Sequence, residues 1–300
     1  MTRRTAVLLI ALAATPVLAT PPGSPPDATT RPLSCEGIAA PVAFRDLVTR
    51  SHLILTGVAE RPPAESASGD GYRSVRIRLV EALKGEPDSG GIVVRFYEGP
   101  GRRPPGAREI AALAGRPALF YLIRVDGPDG ALYFAGDAEA LELSTPASLS
   151  AVRQEVARQQ YLLAHWQSDP AWPHQTEVAA LIAELAALSR FERSAPAVQR
   201  RIFARLEAFG RPAALAMIAQ MEDRRPLADR AISLENHDPN AFEGLRHYGP
   251  ETITDALAAI LNQITGDHFG FIYNGGTERE RREAINGWRV FAADLACGRR

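Results

Sequence analysis

The chain has 300 residues, of which 46% are hydrophobic and 23% charged, with 34 basic against 35 acidic side chains. Those proportions exclude a wholly disordered chain, a collagen-like repeat and a multi-span membrane protein. The near-neutral balance supplies no broad basic field for nucleic acid or an anionic membrane surface, and the length accommodates two domains.

Arg3 and Arg4 precede an apolar run from Thr5 to Ala19 that ends Val17-Leu18-Ala19, the pattern of a secretory signal cleaved after Ala19. As a helix the run would span only about 22 Å, short of the roughly 30 Å hydrocarbon core. Cleavage removes two arginines and moves the formal charge from −1 to −3. Residues 20–34 hold five prolines and almost no large apolar side chain, the composition of a disordered leader. The two cysteines, Cys35 and Cys297, suit an oxidising compartment, periplasmic or secreted, in which one bridge would close nearly the whole mature chain.

From Cys35 to residue 145 the pattern is mainly β. A short helix over Ala43–Ser51 leads to a strand at Leu53–Val58. Val75, Ile77 and Leu79 then alternate with Arg76 and Arg78, predicting a strand with one wet face. Ile92–Tyr97, Ala118–Val125 and Ala131–Phe134 are further strands, the last two joined as a hairpin through Asp126–Gly130. With a short helix at Arg108–Leu113, five strands in so few residues suit a small barrel.

At Pro146 the period changes. A helix from Ser148 to Trp166 lies in a linking segment, 146–174, and residues 175–300 carry apolar positions at 3.6-residue spacing: Val178–Leu188, Val198–Phe209, Leu215–Met221, Ile253–Ile264 and Ile285–Leu295. Leu181–Leu185, Met217–Met221 and Ala259–Gln263 are weakly self-similar, as stacked helix pairs would be. The expected fold class is therefore α+β in two domains, a small barrel followed by an all-α domain.

The run Leu53–Val58, then Val75–Leu83 ending in Leu83-Lys84-Gly85, then Ile92-Val93-Val94 and Leu119–Leu122 resembles the bacterial netrin-like or TIMP-like barrels of OB-fold architecture. Ile264–Gly270, followed by Arg281–Ala284 and Trp288, is similar to the last turn and helix of secreted HEAT-like repeat proteins. The first resemblance brings no catalytic residue, and Cys35 lies inside the expected mature end, away from the inhibitory position of the eukaryotic relatives. The second implies a scaffold.

Candidate functional residues concentrate in the stretch 229–275, which departs from a plain repeat. His237, Asp238, Glu243, His247 and His268 carry metal-ligating groups, and a helix over 240–248 would set Glu243 and His247 on one face, though spacing alone does not assemble a zinc site. Phe242, Tyr248 and Tyr273 supply aromatics for a peptide or ligand groove. Thr277–Glu280 reads as a capping box. The chain contains no G-x-S-x-G, H-E-x-x-H, P-loop or dinucleotide frame, and no cofactor is implied. The leading expectation is an exported, non-catalytic protein that binds an envelope protein or peptide, with no membrane span in the mature chain. A hydrolase centred on 229–275 and a protease inhibitor acting through the barrel are the alternatives.

Overall fold

In a computed structural model, residues 35, 40–60, 71–87, 91–125, 130–235 and 244–300 are described. The signal segment, its cleavage point and the leader at 20–34 lie outside the described residues. The first element, α1 (Val42–Arg50), delivers the chain into β1 (Leu53–Ala59). There follow β2 (Tyr72–Lys84), β3 (Ile92–Tyr97), α2 (Ala107–Leu113), β4 (Pro117–Arg124), β5 (Leu132–Phe134) and β6 (Leu141–Leu143). β1 pairs with both β2 and β4, so five strands close in the order β1-β2-β3-β5-β4, with β6 added outside the ring on β4. β3 and β5 run parallel and the other pairs are antiparallel. This closed ring is compatible with an OB-like barrel.

Alternation dictates which side chains fill it. Leu53, Leu55, Val75, Ile77, Val94, Phe96, Phe120 and Leu122 point inward, and Ile110 of α2 joins them. On β2 the wet face carries Arg76 and Arg78 as expected, but Leu79 and Val80 are exposed. The pairing of β2 with β3 ends at Ile77, and the strand runs on against β1 alone through two register shifts, so inward burial stops there. β4 is buried on both faces: Phe120 fills the barrel while its neighbours Leu119 and Tyr121 enter a second cluster outside it. That outer cluster is formed with α1 and α3 (Pro146–Ala164) through Val48, Ile54, Val152 and Val156. A two-sided strand reads as an unbroken apolar run, as Ala118–Leu122 does.

α3 carries the chain out of the barrel, and its far end packs Leu162 against Val290 and Ala293. The remaining elements are α4 (Gln175–Ala187), α5 (Ala195–Ala208), α6 (Ala214–Ala219), β7 (Ile232–Glu235), β8 (Leu245–Tyr248), α7 (Ile253–Thr265) and α8 (Glu278–Ala296). They enclose one apolar core in which Phe269, Trp288 and Phe291 meet edge to face. The expectation of an all-helical second half is corrected by the β7–β8 hairpin, whose Ile232 and Leu234 alternate into that core. Residues 245–248 are strand and not helix, so His247 does not stand on a helix face shared with Glu243. The self-similar segments fall on α4, α6 and α7, of which α6 has only six residues. The capping box at Thr277 and Glu280 is present, each side chain bonded to the other's backbone.

The barrel and the helices form one compact unit. α8 is the element that joins them. Asp294, fully buried on α8, accepts from Arg45 Nε of α1 at 3.0 Å and lies 4.0 Å from Arg158 of α3 and 3.8 Å from Arg300. The next residue of α1, Asp46, is held by the same Arg300, which also reaches Asp267 at 3.3 Å. Beside this network Cys35 and Cys297 are disulfide-bonded across 262 residues.

Two stability outcomes follow from this arrangement. Asp294→Asn leaves the buried guanidinium of Arg45 without its counter-charge and should cost about 3–5 kcal/mol in urea unfolding. Cys297→Ser should cost up to about 5 kcal/mol, the loop-closure entropy of so long a bridge, and the same loss should appear when the wild-type protein is reduced.

Candidate functional site

The turn from α1 into β1, the ends of β2 and β4, the C-terminal half of α3, the loop 268–271 and α8 surround an open cavity of about 390 Å³. Its lining is mostly apolar, with charged groups from α1 (Arg50), β2 (Lys84), β4 (Arg124) and α8 (Glu280 and Glu283). Backbone constraints bring those groups together. Gly85 has φ +72°, and a Cβ there would stand 2.3 Å from the carbonyl oxygen of His52, so only glycine lets the end of β2 approach the start of β1 this closely. On the opposite wall a Cβ at Gly287 would stand 2.4 Å from Cβ of Phe269, so a bare helix face admits the loop.

The close approach at Gly85 aims Lys84, the chain's sole lysine, at the end of α1, where Nζ donates to the carbonyl oxygens of Val48 at 2.7 Å and Thr49 at 3.3 Å. A cation is favoured there because the last carbonyls of a helix lack intrahelical partners and carry partial negative charge. Burial nonetheless pushes the ammonium down to about 8, against the upward pull of Glu283 and Glu155. His52 Nδ1 accepts from the backbone N–H of Arg124 at 3.0 Å, which leaves the ring proton on Nε2, 3.2 Å from Glu283 Oε2.

Both acids of the cavity have partners within the protein. Glu283 also accepts from Arg279 at 2.9 Å, and Glu280 accepts from the backbone N–H of Thr277 at 2.8 Å. Arg50, the last residue of α1, differs. It makes no hydrogen bond or ion pair among the described residues, its buried Nε has no acceptor, and its guanidinium lies 5.9 Å from the ring centroid of Phe269. At the rim Phe271 is 78% exposed, its ring 5.3 Å from that of His268. Burial and the neighbouring Arg50 push the His268 imidazole down, favouring its neutral form.

Of the residues singled out in the sequence, His268 belongs to this cavity. Tyr248 and Tyr273 pack together with ring centroids 5.3 Å apart, Tyr273 buried and its hydroxyl pushed up chiefly by that burial. His247 instead bonds Ser233 across the hairpin, Nδ1 to Oγ 2.9 Å, with both side chains exposed. His237, Phe242 and Glu243 lie outside the described residues. Among the described residues there is no group of three or more His, Cys, Asp or Glu side chains placed to hold a metal. Arg50, His52, Lys84, Phe271 and Glu283 were not read as site residues from the sequence; the single Lys-Gly pair in a chain otherwise built on arginine was the one local signal.

No protein-family model matches the chain, and neither does any curated protein.

The Lys84 ammonium gives one Nζ resonance in ¹⁵N-lysine-labelled protein, and it should titrate near pH 8. Glu283→Gln should lower that midpoint further, because Glu283 stabilises the charged form. An unfolded lysine holds its proton to about 10.4, so between the two values the unfolded chain binds more protons. The Lys84 contribution to unfolding free energy therefore rises with pH from about 8 toward 10, and Lys84→Met should remove that rise. A midpoint at the unfolded value would contradict the burial.

Proposed function

We propose that the protein is an exported, non-catalytic binding protein that receives a peptide segment of an envelope partner in the cavity between the barrel and α8. The observation that carries this reading is the cavity itself: a mostly apolar hollow of about 390 Å³ with a few charged groups in its wall, the ordinary composition of a site that holds a ligand by burial and orients it by polar contacts. Export is supported by the Arg3-Arg4 and Thr5–Ala19 pattern and by the Cys35–Cys297 bridge, which persists in oxidising compartments. No helix among the described residues is long and apolar enough to cross a membrane.

The binding reading is preferred to hydrolysis because the amine of Lys84 is tied to two carbonyls, and because the Ser233–His247 pair sits exposed on a hairpin with no acid bonded to His247 among the described residues. Protease inhibition through the barrel rests on the resemblance alone.

Asn286 stands on the cavity wall, half-buried. Asn286→Trp should fill the hollow while leaving the fold intact, as judged by circular dichroism. In ¹H–¹⁵N spectra, a pool of apolar hexapeptides should shift amides of residues 49–52, 84 and 268–271 in the wild type and leave them still in the variant. Shifts confined to other surfaces, or none, would defeat the reading.

A further inference from the structure

Resting on that reading, we infer that the cavity recognises the free C-terminal carboxylate of a peptide, with Arg50 as its anchor and Lys84 as a second donor. Charge bookkeeping at the site points to an anion. Glu283 is engaged by His52 and Arg279, Glu280 caps α8 through Thr277, and Asp46, one turn before Arg50, is engaged by Arg300. Arg50 and Lys84 hydrogen-bond to no carboxylate: Arg50 lies against an aromatic ring and Lys84 donates to two carbonyls. The acids that act on them through space, Asp46 on the first and Glu283 and Glu155 on the second, are each held by another arginine, Glu155 by Arg158. Against these two positive charges the end of α1 sets roughly half a negative charge, so the surplus is positive.

Arg50 also brings unfilled donors. Its Nε is buried without an acceptor, a state that costs free energy unless a ligand completes it. A planar guanidinium offers two parallel N–H groups, matched to the two oxygens of a carboxylate. Lys84 uses two of its three ammonium protons on Val48 and Thr49 and retains one.

The remaining wall suits a peptide better than a plain hydrocarbon acid. The side-chain amides of Gln160 and Asn286 line the cavity and have no hydrogen-bond partner among the described residues. Each supplies both a donor and an acceptor, which a peptide unit satisfies and an alkyl chain does not. The apolar lining with Phe271 at the rim leaves room for an apolar last side chain. Capture of a terminal carboxylate is a known mode of peptide recognition; here the donors are side chains.

The test uses two pools of acetylated hexapeptides randomised over apolar residues at the last three positions, one ending in the free acid and one in the amide. Each pool is equilibrated with the immobilised mature protein, and the retained peptides are counted by mass spectrometry; octanoate is titrated separately by calorimetry. The acid pool should be retained at least tenfold over the amide pool. Arg50→Gln should abolish the preference at an unchanged melting temperature, and Arg50→Lys should keep part of it. Equal retention of acids and amides would overturn the carboxylate inference while leaving peptide binding standing. Octanoate binding as tightly as the best acid peptide would overturn the choice of a peptide. Retention of neither pool would remove both this inference and the binding reading beneath it.

Discussion

Asp294 is the constraint on which the rest depends. A carboxylate with no solvent exposure costs several kcal/mol to desolvate, and it is tolerated because guanidinium groups from three separate parts of the chain surround it: Arg45 from α1, Arg158 from α3 and Arg300 from the C-terminal end. Each of those arginines is held in turn, Arg158 by Glu155 in two hydrogen bonds and Arg300 by Asp46 and Asp267. The network does more than cancel charge. It fixes α8 at one distance from the helices that cover the barrel, and no apolar contact alone is so directional.

The cavity is a consequence of that spacing. α3 and α8 touch where Leu162 meets Val290 and Ala293, and the outer sheet face is covered where Val152 and Val156 meet Ile54 and Tyr121. Between these two zones of contact lies the cavity, walled by the strand ends at Lys84 and Arg124, by Phe269 and by Gly287 of α8. α8 is also fixed on a side turned from the cavity by Arg281, which binds the buried Asp255 of α7 through two hydrogen bonds of 2.8 and 2.9 Å. A hollow bounded by elements pinned on both sides is preformed, so a ligand meets little ordering cost on entry.

Much of the fold was legible in the sequence because it is written in periods. The alternation through Val75 and Ile77 and the helical spacing of Ile253, Leu257, Ile260 and Leu261 both report burial of one face, and each element stands where its pattern put it. The pairing of Cys35 with Cys297 was legible by count alone. The hairpin at Ile232–Glu235 was not, since two alternating apolar residues in a four-residue strand are too short a pattern to stand out among helices. The cavity was illegible for a different reason. His52, Lys84 and Glu283 come from three distant stretches, and their meeting is produced by barrel closure, the clearance at Gly85 and the docking of α8. The histidines of 229–275 drew attention because they cluster along the chain, yet of those described only His268 reaches the cavity.

The choice of side chains at the end of α1 bears on how the site divides its labour. Of 34 basic residues one is lysine, and it stands where a compact ammonium on a flexible stem can reach two helix-end carbonyls at once. A guanidinium, rigid and forked, fits a pair of carbonyls on adjacent residues poorly and a carboxylate well. With Lys84 satisfying Val48 and Thr49, the helix end needs nothing from Arg50, and its guanidinium stays on the cavity wall against Phe269. Exchanging the two residue types would therefore satisfy neither the helix nor an incoming anion, although the net charge would be the same.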